Sequence, residues 1–420
     1  MDEKPPVVTE IGFAFRRSYI LLMIGLPLLT WYMWICLIHN SGAFIVPGTR
    51  QEWADLASKL PPPTFQAAAL YLGWLLFQAL LQHYLPGRVV QGTMLRDGTR
   101  LGYRMNGWLS FWITLGAAFL ACWLGWIDPT ILYDSFGPLI TVSYIFTLLF
   151  SLYLYFLGRR SRNERVTGTP LYDFFMGTSL NPRAGTFDFK LFSEARPGLI
   201  LWVLINFSAA AKQYELHHAV TTPMMLVCLF HLLYIADYYF HEEAILTTWD
   251  IKHENFGWML AFGDLVWVPF TYTVQALYLV DHAHDLPLYG TLGIVALNMA
   301  GYYVFRTANI QKHRFSRDPG SLIWGRMPAF IQTARGTKLL TSGFWGIARH
   351  ANYFGDLMMA LAWCLPCLFD NLIPYFYFIY FTILLVHRER RDNAMCHAKY
   401  GKDWEEYTSR VRWRILPGVY

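Results

Sequence analysis

Long apolar stretches alternate along this chain with short segments that hold nearly all of its charge. A helix needs about 20 apolar residues to cross roughly 30 Å of hydrocarbon. Residues 18–38, 107–127 and 135–158 are uncharged windows of that kind. Residues 65–85, 219–236, 257–279 and 286–305 read as further spans whose polar residues must face the protein interior. Residues 197–211 make a short span, and 353–369 with 372–386 a hairpin that turns at Asp370 and Asn371.

Charge tests this count of about ten spans, because Lys and Arg in short loops gather on the cytoplasmic side. With the N-terminus inside, all but three of the 34 Lys and Arg fall on the inner face, the exceptions being Arg50, Lys59 and Lys212. Omitting any one span would move later basic clusters to the opposite face. The expected fold is therefore an all-α polytopic membrane protein with about ten transmembrane helices and both termini cytoplasmic. Composition agrees: 55% of residues are hydrophobic and only 15% charged, which excludes an ordinary soluble domain.

No low-complexity tract, repeat or long linker divides the chain, so residues 1–420 are expected to form one integral membrane domain. Residues 1–196 hold the first four spans and a cytosolic loop, and 197–420 the rest. Residues 18–38 are too long for a signal core and lack a small-residue cleavage site, which makes them a first span. The net charge of +5 follows from the inner-face bias and gives no reason to expect a nucleic-acid partner. Cys364 and Cys367 form a CxxC inside an apolar helix, where two small buried residues are expected.

Chemistry concentrates in a few places. "DYYFHEEAILTTWDIKHENFGW" (237–258) is a charged island between apolar stretches. Read as a helix from Asp237, it puts 237, 241 and 244 on one face, with His241 one turn from Asp237, an arrangement that raises an imidazole pKa. Glu242 and Glu243 occupy the neighbouring face. Asp264, inside "LAFGDLVWVPF", requires a partner, a wet cavity or a ligand at membrane depth. The 13 His contain no HxxxH, so no metal site is expected. "GFWGIARHANYFGD" (343–356), "NIQKHRFSRDPG" (309–320) and "LLVHRERRDNAMCHAKYGKDWEEY" (384–407) mix basic, amide and aromatic groups. Such a mixture suits an anionic cofactor with a flat ring, or a headgroup-facing surface. No GxGxxG follows a strand, so a dinucleotide would have to bind outside a Rossmann domain.

Two longer motifs carry a resemblance. "GTPLYDFFMGTSLNPR" (168–183) and "LVHRERRDNAMCHAKYG" (385–401) resemble the two signatures of the sterol C-14 reductases. Their relatives are the sterol C-7 and C-24(28) reductases and the membrane domain of lamin B receptor. "HEEAILTT" and "FGWMLAFGD" point to the C-14 branch, and the similarity covers nearly the whole chain. The resemblance implies NADPH-dependent reduction of a sterol ring double bond, the C14=C15 bond of a Δ8,14-sterol, in sterol biosynthesis. It implies an NADPH pocket on the cytosolic side of the C-terminal half and a second pocket that admits sterol from the bilayer, with membrane lipids around. Carried over by motif, the cofactor contacts are Lys312, Arg317, Leu340, Trp345, Asn352, Tyr353, Asp392, Cys396, Lys399, Tyr400 and Tyr407. Where relatives tend to have Arg after the Phe of the basic run, this chain has Ser316, and Arg317 or Arg314 takes the phosphate contact. The family's membranes are the endoplasmic reticulum in eukaryotes and the inner membrane in bacteria. The chromatin-binding extension of lamin B receptor has no counterpart here, since about 17 residues precede the first span.

An isolated ring alkene accepts hydride only with protonation at its other carbon, so the reaction needs an acid, a group that favours a cation and a fixed nicotinamide. His241, Glu242 or Glu243 is the expected donor, with Tyr238, Trp267 and the Asp264 carboxylate favouring the cation. Three alternatives share parts of the pattern. One is sterol C-7 reduction and another a non-catalytic sterol-binding relative. The third is a membrane S-adenosylmethionine-dependent methyltransferase, for which residues 168–183 and 237–258 have no role.

Overall fold

The computed structural model describes residues 18–94, 98–160 and 165–420, and these are mostly helical. They form two compact units, one of the described residues up to Val220 with Cys228–Ala283, the other of Thr221–Val227 with His284–Tyr420. Among the described residues, five helices are long and apolar enough to cross a membrane: Ser18–His39, Phe65–Tyr84, Phe136–Arg159, Thr222–Phe240 and Leu288–Arg317. Gly107–Trp123 is a shorter apolar helix.

In the first unit, polar residues of these apolar helices meet one another. Gln78 donates to Thr114 at 3.0 Å, whose hydroxyl donates to the Ser110 carbonyl at 2.7 Å. Trp202 Nε1 donates to His231 at 3.0 Å. Close helix contact depends on a missing side chain at Gly137, where a Cβ would lie 2.4 Å from the Trp34 ring.

Residues 257–279 do not make one straight helix. They run as Trp258–Phe262, a π turn over Gly263–Trp267, then Val268–Thr271 and Val274–Asp281. Pro269 has no N–H to offer the Leu265 carbonyl, which accepts instead from the Tyr71 hydroxyl at 3.1 Å. The π turn presses its Asp264 carbonyl against Gly198, where a Cβ would lie only 2.0 Å from that oxygen. The charged island also departs from a single helix. Its first helix ends at Phe240, followed by a 3-10 turn over Glu242–Thr247 and the short helix Trp249–His253, capped by Thr248.

Strands correct the all-α expectation in a small way. Arg88–Met94 pairs antiparallel with Arg100–Met105, Arg183–Ala184 with Phe187–Asp188, and Phe330–Gln332 with Lys338–Leu340.

The second unit is organised by Leu288–Arg317, 30 residues and so about 45 Å long. It packs on Ala351–Cys364 through Gly301 and Gly355, each of which would place a Cβ within 2.7 Å of the other's carbonyl oxygen. Cys364 and Cys367 are buried, as two small core residues should be, and the Cys364 thiol donates to the Ala360 carbonyl at 3.3 Å. Phe376–Tyr400 and Lys402–Arg410 follow, joined at Gly401 with φ of 53°, a conformation that suits glycine. The end of the chain returns to this helix: Glu389, fully buried, takes Arg414 and the Tyr420 hydroxyl, both at 3.1 Å.

Candidate functional site

Two groups of polar residues stand out, one in each unit. In the first, Glu242 opens the 3-10 turn and is buried. One carboxylate oxygen accepts from Arg196 at 2.8 Å and the other from the Gly107 N–H at 2.8 Å. Arg196, with no exposed surface, also donates to Asn106 at 2.8 Å. Burial raises the Glu242 pKa, and the Arg196 charge and the Gly107 N–H oppose that rise. Gly107 is required here: a Cβ would lie 2.5 Å from Glu242 and 2.8 Å from Arg196. Both oxygens of Glu242 are thus committed to holding four elements together.

Its neighbours differ sharply. Glu243 is exposed and pairs with Arg88 on the first hairpin. His241 points Nδ1 at the Asp237 carbonyl, 3.0 Å away, with the Asp237 carboxylate at 3.4 Å. Asp237 is placed as expected, yet burial lowers the His241 pKa. At neutral pH the ring is therefore uncharged, and an Nδ1–H donated to the carbonyl leaves Nε2 an acceptor. Asp264 sits on the π turn with Oδ2 buried and without a hydrogen-bond partner among the described residues. Glu242, Glu243 and His241 share one turn; no bond joins Asp264 to them.

The second group contains most of the expected cofactor residues. The Lys312 ammonium lies over the Trp345 ring, 4.0 Å from its centroid. Trp345 is fixed by donating Nε1–H to the Ala308 carbonyl at 2.8 Å and packs with Leu340, Phe315 and Ile323. Lys312 is exposed beside that ring. Asn352 donates to Asn309 at 3.3 Å, while its Oδ1 is buried and unpartnered among the described residues. Tyr353 stacks on His350, which lies 3.5 Å from Asp392. Burial, with Lys312, Arg349 and Arg388 nearby, pushes the His350 pKa down to about 3, so this contact joins a neutral imidazole to the carboxyl. Burial raises Asp392 against the pull of Lys312, and pushes the Cys396 thiol up to about 11. Cys396 and Tyr400 pack with Tyr407 and Trp404.

Lys312, Leu340, Trp345, Asn352, Tyr353, Asp392, Cys396, Tyr400 and Tyr407 thus belong to one connected neighbourhood. Arg317 and Lys399 are exposed, and Lys399 leans over the Tyr400 ring. Ser316 donates to the Lys312 carbonyl at 2.8 Å, spending its hydroxyl within the helix. A cation over an indole, a free amide oxygen and a wall of tyrosines offer phosphate, carboxamide and ring contacts, and so fit a nicotinamide dinucleotide.

The model of the Ergosterol biosynthesis ERG4/ERG24 family matches residues 8–420. The chain belongs to that family. Among its relatives, the Delta(14)-sterol reductase of Methylotuvimicrobium alcaliphilum is 58% identical, over 98% of this chain and 96% of its own. The Delta(14)-sterol reductase of Dictyostelium discoideum is 48% identical, over 95% and 90%. The 7-dehydrocholesterol reductase of Xenopus laevis is 40% identical, over 98% and 93%. Sequence reasoning missed Arg196 and Gly107. The signal available was "KLFSEARPG" (190–198), where Lys, Glu and Arg stand among apolar residues just before a helix start.

Proposed function

We propose that this protein reduces a ring double bond of a sterol with NADPH, and that the bond is C14=C15. The observation that carries the reading is full-length identity of 58% and 48% to proteins named Delta(14)-sterol reductase, against 40% to a 7-dehydrocholesterol reductase. The chain crosses the bilayer about ten times with both termini cytoplasmic, a topology supported by the placement of 31 basic residues, all but Arg50, Lys59 and Lys212, on one side. Residues 1–420 work as one membrane domain, and sterol enters from the surrounding lipid.

Lys312 and Arg317 hold phosphate, Trp345 and Leu340 give an apolar wall, and Asn352, Tyr353, Asp392, Cys396, Lys399, Tyr400 and Tyr407 complete the cofactor's surroundings. NADPH, when bound, supplies hydride. The chain must supply the proton and favour positive charge on the accepting carbon, tasks worth about 10²- to 10⁴-fold for acid catalysis alone. Tyr238, Trp267 and Asp264 serve the second task through ring faces and a carboxyl. Glu242 positions the segment through Arg196 and Gly107, and Glu243 ties it to the first hairpin.

Purified protein incubated with NADPH and a Δ8,14-sterol tests the reading. NADPH oxidation matched by a Δ8-sterol product is expected. Reduction of a Δ7-sterol instead would move the assignment to C-7, and no reduction of either would remove it.

A further inference from the structure

Just beyond the helix Leu288–Arg317, in the second unit, the chain makes a tight turn at 323–326. It is closed by two backbone hydrogen bonds, from the Ile323 N–H to the Arg326 carbonyl at 2.9 Å and from the Arg326 N–H to the Ile323 carbonyl at 3.1 Å. Both central residues have positive φ, 50° at Trp324 and 75° at Gly325. A turn of that hand favours Asn or Asp before the glycine, and a bulky side chain there is strained. Local turn chemistry therefore does not account for the tryptophan, and its ring must be placed there for what it meets.

The inner side of the turn is committed to the protein. Ile323 is buried with Phe315, Leu340 and Trp345, and a Cβ on Gly343 would lie 2.7 Å from it. The Phe344 N–H donates to Gln311 at 2.9 Å, which pins that segment to the long helix. The outer side presents three large apolar side chains: Leu322 is 58% exposed, Trp324 56% and Met327 70%. Three such residues on one short turn form a patch, which scattered single apolar residues do not. The patch also continues along the helix. The Trp324 ring meets Phe344 edge to face at 5.2 Å, and Phe344 meets Tyr303 at 6.1 Å. Tyr303 is exposed and stands about 21 Å back from Arg317 along the helix axis. Met299, one turn further, is exposed as well. The turn thus folds back toward the apolar part of the helix. Its charge is positive, with Arg326 in the turn and Arg314 and Arg317 exposed at the helix end. Asp318 uses its carboxylate locally, accepting from the Gly320 N–H at 2.9 Å and the Ser321 hydroxyl at 3.1 Å.

We propose that the turn at 322–327 is a membrane anchor. Leu322, Trp324 and Met327 enter the headgroup boundary of the leaflet beside Leu288–Arg317, and Arg326 takes the phosphate of an anionic phospholipid. Tryptophan suits that boundary because its ring is apolar and its N–H polar, and a guanidinium matches phosphate geometry. Continuity with Tyr303 and Met299 favours lipid over a soluble protein, which could not follow this surface down a span. The inference rests on the reading of Leu288–Arg317 as a membrane span. Because Ile323 backs onto Trp345, the anchor also sets the depth at which that indole stands.

The photoreactive residue benzoylphenylalanine, placed singly at 322, 324 or 327, tests the proposal in protein reconstituted into vesicles of phosphatidylethanolamine and phosphatidylglycerol. Met299 on the span is the lipid-facing reference. Arg335, exposed on the hairpin joining Phe330–Gln332 to Lys338–Leu340, is the aqueous one. Irradiation followed by mass spectrometry is expected to give phospholipid adducts at all three positions, comparable with Met299 and several-fold above Arg335. Those adducts should be enriched in phosphatidylglycerol relative to the vesicle, and Arg326→Gln should abolish the enrichment while adducts persist. Yields no higher than at Arg335, or adducts to a second protein chain in place of lipid, overturn the anchor. Adducts without the enrichment overturn the Arg326 contact. No lipid adduct at Met299 overturns instead the span on which the anchor rests.

Discussion

Arg196 and Glu242 show how a charge in this molecule can be structural. Each is buried, and removing one partner of such a pair leaves the other unpaired at a cost of about 3–5 kcal/mol. Gly107 makes the approach possible, so Gly107→Ala is expected to cost about 1–3 kcal/mol through overpacking. Thermal unfolding in detergent would report the loss, and an unchanged midpoint would contradict the geometry. The sequence marked Glu242 as chemically interesting but could not say why, because its partner lies 46 positions away in the chain and neither residue advertises the other. His241 shows the converse. Its spacing from Asp237 was legible, while the burial that reverses the expected pKa shift depends on surroundings that spacing does not encode.

At the scale of elements, apolar windows located helices well, since length and hydropathy are local properties. The starts at Phe65, Gly107 and Pro197 coincide with the windows, and Phe136 and Leu288 lie within two residues of theirs. The π turn over Gly263–Trp267 was not legible, because it follows from the missing N–H of Pro269 combined with the Tyr71 hydroxyl and the contact at Gly198. These long-range contacts fix where Asp264 stands. Gly198→Ala should force the π turn away, lowering both the unfolding midpoint and sterol turnover. Gly263→Ala, with nothing within 4 Å of its Cβ, is the control and should shift stability by no more than about 0.5 kcal/mol. Equal effects from the two changes would show that close packing at Gly198 does not hold the turn.

For the molecule as a whole, the two groups of polar residues fall in different compact units. Glu242, Arg196 and Asp264 belong to the first unit, and Lys312, Trp345 and Asp392 belong to the second. The second group was readable because its signatures are contiguous runs, 343–356 and 384–407, in which basic, amide and aromatic groups recur. In the proposed reduction one hydrogen comes from the cofactor as hydride and the other from a protein acid in exchange with water. Isotope placement in the product tests this most directly. With NADPH deuterated at its transferable hydride, in ordinary water, a single deuterium at C-14 is expected. With ordinary NADPH in heavy water, a single deuterium at C-15 is expected. Deuterium from the solvent at C-14, or none from NADPH there, would contradict the proposed reduction.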